Sequence, residues 1–339
     1  LCGGAEKQAL ASGDENRITV NVAQPGVTVS PHLWGIFFED INLSADGGIV
    51  PERVRNRSFE DGGKTEPWST VADPSVSVEM ALDSETPASA KNPHALKVVV
   101  SGAGGGRGGV ANPGYYGMSL VKGERYRVSL LARAAAPFSG PLTVTLEGAD
   151  GRVCATGEIA GLTAAWAART LTVTAAATDP AARLVISAAA PGTFWLDMVS
   201  VMPEKTWKGH GLRPDLCEML AALRPAFMRF PGGCWVEGNT MAEAYRWKQT
   251  LGDLSERRTQ YNLWQYHATH TLGYHEYLQL SEDLGAEPLF CINVGMSHKE
   301  NVPMGQMAEY VQDALDAVEY ANGPATSTWG ALRAKAGHP

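Results

Sequence analysis

The sequence lacks long apolar runs, clusters of cations and paired cysteines. No apolar run approaches the ~18 residues that a membrane-spanning helix needs, so we expect no membrane partner. Lys and Arg number 28 against 36 Asp and Glu, which gives a formal net charge of −8. Without a basic cluster there is no counterion-release term to support nucleic-acid binding. These deficits favour a globular protein that acts on neutral partners.

The five cysteines are odd in number, far apart and free of any CxxC pair. This pattern excludes a disulfide framework or a zinc ribbon as the organising principle. His267, His270 and His275 have spacings that a metal could use, but the aromatic residues around them favour packing, and we expect no metal and no cofactor. The opening "LCGG" raises lipidation at Cys2 as an alternative, although Leu1 suits a cleavage site poorly.

Three regions of the chain differ in their pattern of apolar and polar residues. Residues 17–60 contain an alternating run, "RITVNVA", and an apolar run, "WGIFF", each predicted to be a strand. Residues 65–203 repeat short alternating runs such as "YRVSLLAR" and "RTLTVTA" between Gly and Pro residues, which is typical of a β-sandwich. Residues 207–339 alternate helical and strand patterns, which predicts parallel βα units.

The helices of the third region have recognisable ends. A helix is predicted to begin at Pro214, where a first turn tolerates proline, and others to end at Gly285 and at Gly323. "FMRFPGG" and "EPLFCINVG" are predicted strands, and with "WGIFF" they make about three βα units. A closed barrel needs eight strands. The pattern therefore indicates either a small open sheet or part of a (β/α)₈ TIM barrel that stops before strand four.

Polar residues follow each predicted parallel strand, where side chains from different strands can meet over one ligand. Carboxylates, amides and bare glycine N–H groups suit a neutral polyol. Each of these residue types also has a structural role that needs no ligand. Acids can cap turns, glycines can form a tight turn, and tryptophans can fill a core. The candidates by position are Glu39, Asp40, Asn42, Arg229, Gly232, Gly233, Cys234 and Asn293.

Several long motifs in one order resemble the family 51 glycoside hydrolases, the α-L-arabinofuranosidases. The motifs are "GIFFEDINLSADGGIVPERVRNRSFE", "FMRFPGGCWVEG", "YHEYLQLSEDLGAEPLFCINVG" and "VQDALDAVEYANGP". The resemblance covers residues 17–60 and 207–339. It implies a partial TIM barrel with an inserted β-sandwich, a jelly-roll of the galactose-binding-like, carbohydrate-binding-module type, at residues 65–203.

The resemblance also implies retaining hydrolysis by two glutamates, releasing arabinofuranosyl groups from arabinose-containing polysaccharide or oligosaccharide. Both catalytic glutamates are expected beyond Pro339, so this chain by itself is expected to be inactive. The resemblance implies substrate-binding roles for Glu39, Arg229, Gly233, Cys234, Trp247 and Asn293. Glu39 is expected to bind a sugar hydroxyl rather than to cap a helix. Further expectations are a secreted, cell-surface or periplasmic location and a homo-oligomer when the protein is full length.

Two alternatives remain open at this stage. The first is a non-catalytic carbohydrate-binding protein in which the sandwich supplies stacking residues. The second keeps the barrel and changes the sugar, as in a xylosidase or an endoglucanase of related architecture. The stacking candidates in the sandwich are Tyr115, Tyr116, Trp166 and Trp195.

Overall fold

The structure is a computed structural model that describes residue 18 and residues 20–24, 26–102 and 105–339. Cys2 and its lipidation signal lie outside the described residues. The predicted strand "RITVNVA" lies partly outside them, and its described residues form no strand. Ile18 and Val22 are 91% and 89% exposed, so the alternating pattern has no sheet to pack against within the described part of the chain. That strand prediction is not met here.

A β-sandwich separates the first parallel strand from the remaining βα elements. The first strand is β1 (Ile36–Phe37). The sandwich strands are β2 (Ser69–Ala72), β3 (Val76–Asp83), β4 (Ala95–Gly102), β5 (Gly108–Asn112), β6 (Met118–Leu120), β7 (Arg125–Ala134), β8 (Leu142–Glu147), β9 (Val153–Ile159), β10 (Ala167–Thr174), β11 (Asp179–Ala188) and β12 (Gly192–Pro203).

The second half of the chain alternates helices and strands. Four short 3₁₀ turns join these elements, at 241–243, 247–250, 254–256 and 304–306. The elements are α1 (Pro214–Ala222), β13 (Phe227–Phe230), α2 (Cys234–Glu237), β14 (Gln260–Asn262), β15 (Tyr266–Ala268), α3 (Tyr274–Leu284), β16 (Glu287–Phe290), α4 (Ala308–Asn322) and α5 (Thr328–Lys335).

The sandwich consists of two antiparallel sheets. In the described residues one sheet has the order β10-β7-β12-β4-β3 and the other β2-β5-β11-β8-β9, with β6 paired to β11. Strand β7 shows why these residues form a sandwich, because its alternate residues Tyr126, Val128 and Leu130 are at most 3% exposed while the residues between them face outward. Val54 and Phe59, which precede the sandwich strands, belong to the same buried core.

A parallel sheet in the order β1-β13-β16 carries the second core. Met228 and Phe230 of β13 are fully buried against the helices, and Phe230 stacks on Tyr277 of α3 with ring centroids 4.8 Å apart. The predicted strands "FMRFPGG" and "EPLFCINVG" are present as β13 and β16. This mixed α/β architecture, dominated by sheet, agrees with the sequence prediction at that level.

Helix ends follow the predicted signals. Helix α1 begins with Pro214 at its first turn, α3 ends at Gly285 in the left-handed conformation, and α4 is followed by Gly323. Helix α5 and the β14–β15 hairpin were not predicted. Within the described residues, no helix combines the length and apolar character required to cross a bilayer.

Candidate functional site

Glu39 lies directly beyond β1, and its carboxylate contacts the turn that follows β13. Its Oε1 atom accepts hydrogen bonds from the backbone N–H of Trp235 at 2.7 Å and of Gly233 at 3.2 Å. Gly232 permits this approach, because a Cβ atom there would lie 2.6 Å from the same oxygen, and its φ of +154° disfavours other residues. The carboxylate therefore binds the exposed N–H groups at the start of α2.

This contact changes the expectation for Glu39. The sequence prediction assigned the carboxylate to a sugar hydroxyl rather than to a helix cap, whereas the structure shows that Oε1 does cap α2. Within the described residues, Oε2 has no hydrogen-bond partner, and the side chain is only half-buried. One oxygen thus fixes the orientation of the side chain, and the other is free to accept a hydrogen bond from a ligand.

Cys234 is the first residue of α2 and lies beside Glu39. Its side chain is exposed, and partial burial together with the carboxylates of Glu39 and Glu237 raises the pKa of its thiol. A raised pKa keeps the thiol protonated at neutral pH, so Cys234 offers a ligand an S–H contact rather than a nucleophile. The structure therefore brings Glu39, Gly233 and Cys234 together at one place.

Arg229 lies on β13, next to the same strand ends. Its guanidinium lies 4.3 Å from the ring centroid of Phe37 on β1, and its Nε atom lies 3.1 Å from Sγ of Cys291 beyond β16. The side chain therefore links all three parallel strands and is held by a cation–π contact. The Gly233 Cβ position would lie 3.8 Å from its Nη2 atom, which places the guanidinium directly under the turn.

Asn293 and Trp247 have structural partners instead of a ligand-facing position. Asn293 is buried and donates to the carbonyl oxygens of Val236 and Met296, both at 2.9 Å, so it ties the loop after β16 to α2. Trp247 is 2% exposed, and its indole N–H donates to the carbonyl of Asp313 at 3.1 Å. A ring so deeply buried cannot stack on a sugar, so the substrate-binding role that the resemblance implied for Trp247 does not fit this arrangement.

Three side chains, those of Asp40, Asn262 and Tyr266, hold the segment that carries Glu39 in place by hydrogen bonds. The Asp40 carbonyl accepts hydrogen bonds from Asn262 Nδ2 at 2.7 Å and from the Tyr266 hydroxyl at 2.9 Å. The Asp40 carboxylate accepts bonds from the same hydroxyl at 3.0 Å and from the backbone N–H of Ala45 at 3.1 Å. Sequence analysis missed Asn262 and Tyr266, because only the fold brings the β14–β15 hairpin to β1.

Burial, with a smaller contribution from the nearby Asp46, raises the pKa of Asp40 to about 6 against the lowering effect of its hydrogen bonds. This adjacent pair of acids therefore has two different environments. Glu39 faces the N-terminus of α2, and Asp40 points into the core.

The three histidines of the 267–275 stretch face different partners. His267 contacts Asp61, His270 is buried against Trp235, and the Nδ1 atom of His275 lies 2.9 Å from the hydroxyl of Tyr320. Burial lowers the pKa of His270 to about 3, so it is neutral at physiological pH. These side chains do not converge on a common centre.

The two tryptophans of the sandwich that were candidates for stacking on a sugar already contact other protein groups. The ring of Trp195 is 8% exposed and lies 3.9 Å from the Arg133 guanidinium, and Trp166 donates its indole N–H to the carbonyl of Thr86 at 2.8 Å. Tyr116 is 90% exposed but has no described aromatic neighbour. Tyr116 is therefore exposed as a single ring, whereas Trp166 and Trp195 are held by other contacts.

The fold, together with the grouping of Glu39, Gly233 and Cys234, defines an α/β protein with a β-sandwich. Its candidate ligand site lies at the carboxyl ends of parallel strands. A family model described as "Alpha-L-arabinofuranosidase 1 domain" matches residues 219–339. Alpha-L-arabinofuranosidase 1 of Arabidopsis thaliana is 41% identical over 326 residues, which cover 92% of this chain and 48% of the relative. The extracellular exo-alpha-L-arabinofuranosidase of Streptomyces chartreusis is 38% identical over 344 residues, 95% of this chain and 40% of the relative.

A solved structure has the same fold. An arabinose-bound α-L-arabinofuranosidase of family 51 matches with a TM-score of 0.85 and 34% identity, covering 93% of this chain and 53% of that one. The chain is similar to the family 51 glycoside hydrolases, the α-L-arabinofuranosidases, over nearly all of its length, which confirms the resemblance that its motifs indicated. It spans about half the length of the curated relatives that it matches.

Proposed function

We propose that the protein containing this chain is a glycoside hydrolase that releases terminal α-L-arabinofuranosyl groups from arabinose-containing polysaccharides. The observation that carries the proposal is the half-buried Glu39 carboxylate at the end of β1, with one oxygen fixed by the turn and the other free. Gly233 and Cys234 border it, and neither residue is buried. The relatives named as arabinofuranosidases support the same activity.

The reaction we propose is a retaining double displacement by two carboxyl groups ~5 Å apart, one ionised and one protonated. The role of this chain is to bind and orient the sugar through Glu39 and the turn after β13. We infer that the catalytic acid/base and the nucleophile are not among these 339 residues. The sequence supports this inference because it contains no Asn-Glu dipeptide, the motif that the resemblance to family 51 implies at the acid/base position.

The architecture we propose is part of an eight-stranded barrel with an inserted jelly-roll that resembles carbohydrate-binding modules. The parallel order β1-β13-β16 and the position of the sandwich between β1 and α1 support it. In this proposal residues 17–60 and 207–339 belong to the barrel region, and residues 65–203 form the insertion.

We further propose that the protein acts outside the cytoplasm on neutral polysaccharide and that the full-length form assembles as a homo-oligomer. A relative named as extracellular supports the location, and the net charge of −8 agrees with a neutral substrate. Size-exclusion chromatography with light scattering of the full-length protein tests the assembly, which a monomer would contradict.

Substitution of Glu39 in the protein from the complete reading frame tests the proposed activity. Glu39→Ala removes both the cap and the free oxygen, and we expect kcat/KM on an aryl α-L-arabinofuranoside to fall about tenfold or more, as for the loss of a charged hydrogen-bond acceptor. Glu39→Gln keeps one acceptor for α2, so its melting temperature should stay near that of the parent while kcat/KM still falls.

Glu79→Ala is the matched control, because Glu79 is exposed on the sandwich, and it should leave kcat/KM unchanged. Full activity of both Glu39 variants would return Glu39 to a purely structural role. Absence of arabinofuranoside hydrolysis by the parent protein would reject the proposed function itself.

A further inference from the structure

A second concave site lies on the far side of the β14–β15 hairpin from Glu39. It is formed by the loop at 55–67 and by the hairpin, and it has a volume of about 360 Å³. We call it the hairpin groove. Its volume falls within the range of about 300 to 1,000 Å³ that is usual for small-molecule sites. Its polar lining residues are Arg55, Asp61, Lys64, Glu66, Tyr261 and Gln265.

The lining chemistry of the hairpin groove suits a neutral polyhydroxyl ligand. Two cations and two carboxylates cancel in charge, which argues against a strongly anionic or cationic ligand. An amide and a phenol add further donors and acceptors. Within the described residues, five of these side chains form no hydrogen bond with the protein: Arg55, Lys64, Glu66, Tyr261 and Gln265.

The walls of the hairpin groove are held in place before any ligand binds. The Asn56 amide donates to the carbonyl oxygens of Lys64 at 3.0 Å and Glu66 at 2.9 Å, and its oxygen accepts from the backbone N–H of Asp61 at 3.1 Å. On the opposite wall, the half-buried ring of Tyr261 packs edge-on against His267, with centroids 5.3 Å apart. A preorganised groove loses less conformational entropy on binding.

The hairpin connects the groove to the candidate site. Tyr261 pairs with His267 across the hairpin, and Asn262 pairs with Tyr266, so the two pairs project from opposite faces. The Tyr261 face lines the groove, and the Asn262 face binds Asp40 next to Glu39. A small inner cavity of about 20 Å³, the size of one water, shares Arg55 and Asp61 with the groove and reaches Tyr266.

We propose that the hairpin groove is a second saccharide-binding site, which takes a stretch of the neutral main chain of a pentose oligosaccharide. Tyr261 supplies the stacking face, and the uncommitted charged and amide groups bind the ring hydroxyls. The choice of a pentose chain rests on the proposed function. The existence of the site rests on the chemistry of the groove.

Binding of xylohexaose, a linear pentose chain without arabinose, tests the proposal by isothermal titration calorimetry on the protein from the complete reading frame. We expect the parent to bind and Tyr261→Ala to bind about fivefold more weakly, as for the loss of one stacking contact. Gln265→Gly is a second variant. Its positive φ of 71° suits glycine, so it removes the amide without strain, and it should also weaken binding.

Tyr116→Ala is the matched control, because it removes an exposed tyrosine outside the groove and should bind as the parent does. Unchanged affinity in Tyr261→Ala and Gln265→Gly, loss of affinity in Tyr116→Ala, or no binding by the parent would each overturn the proposal. Binding of polygalacturonate in place of xylohexaose would overturn the neutral class. Hydrolysis of an aryl arabinofuranoside, measured in parallel, reports separately on the proposed function.

Discussion

At the scale of single residues, Glu39 and Asp40 illustrate how adjacent acids acquire separate roles. Successive side chains of an extended segment point to opposite sides. Glu39 consequently reaches the N-terminus of α2, where its carboxylate accepts hydrogen bonds from backbone N–H groups. Asp40 enters the core, where burial raises its pKa to about 6. The same carboxylate chemistry therefore gives a cap on α2 at one position and a proton-linked structural acid at the next.

Asp40→Asn should make the protein more stable at neutral pH. The raised pKa means that folded Asp40 holds a proton that the unfolded chain releases, so the stability of the parent falls as pH rises from about 4 to about 6 and stays lower above that. Asn keeps an oxygen for Ala45 and Tyr266 without the charge. We expect a gain of about 2 to 3 kcal/mol in the free energy of unfolding at pH 7.5 and none at pH 4.

Urea denaturation at the two pH values measures this difference. Asp215→Asn serves as the contrasting variant, because the hydrogen bond from Arg213 holds the pKa of Asp215 below its usual range. Its contribution is present above about pH 4 and is lost as pH falls, so this variant should be slightly less stable at pH 7.5. Equal stability of Asp40→Asn and the parent at pH 7.5 would contradict the raised pKa.

At the scale of elements, helix α4 shows how a periodic pattern can be right about the helix and leave its buried face undecided. Val311, Leu315 and Val318 lie in register along one side, yet each is 58% to 60% exposed in this chain. The buried side instead carries Tyr310 and Tyr320. Tyrosine can occupy a core when its hydroxyl finds a partner, as Tyr320 does with His275.

The loop before the β14–β15 hairpin is fastened to the sandwich by Asn92. This residue is fully buried, its amide donates to the carbonyl oxygens of Ser255 and Arg257, and its oxygen accepts from the backbone N–H of Thr259. Three backbone groups therefore depend on a single side chain that comes from the other structural unit.

Asn92→Ala should lower the free energy of unfolding by about 2 to 3 kcal/mol, because it leaves buried backbone groups without partners. Urea denaturation measures the loss. Asn322→Ala, at the exposed end of α4, is the matched control and should stay within about 0.5 kcal/mol of the parent. A comparably small effect of Asn92→Ala would show that water satisfies these groups.

At the scale of the whole molecule, the chain has two hydrophobic cores joined by the segment at 50–59. One core fills the sandwich and the other underlies the parallel sheet. Glu52 ties this segment to β12 of the sandwich, since its carboxylate accepts from Ser200 Oγ at 2.6 Å and from the buried Arg57 at 2.8 Å. Phe59 packs on Trp68 with centroids 5.4 Å apart, which places a residue upstream of position 65 inside the sandwich core.

A fragment of residues 50–203 should therefore melt cooperatively and at a higher temperature than a fragment of residues 65–203. The shorter fragment loses Val54, Phe59 and the Glu52 network, and loss of a buried Phe alone costs about 3 to 5 kcal/mol. Differential scanning calorimetry of both fragments measures this. Equal melting temperatures would show that the sandwich does not need the upstream segment.

The sequence by itself determined the alternation of strands and helices in the second half of the chain and the positions of β13 and β16. It also determined the helix ends at Pro214, Gly285 and Gly323. These features depend on local periodicity and on the backbone preferences of proline and glycine, which act over a few residues. Its long motifs also indicated the family. The grouping of Glu39 with Gly233 followed from the rule that parallel strands end at one edge.

Only the tertiary structure decided which groups those residues contact. Glu39 and Trp235 are separated by 196 positions, and Asp40 and Tyr266 by 226. No local sequence pattern therefore predicts that these residues are in contact. The burial of Trp247 and the exposure of Leu315 could not be predicted from the sequence either. A tryptophan or a leucine can lie in a core or at a surface, so the residue type alone does not determine its burial. Hydrogen bonds and burial across such separations are set by how the elements pack, and that is where the orientation of this candidate site originates.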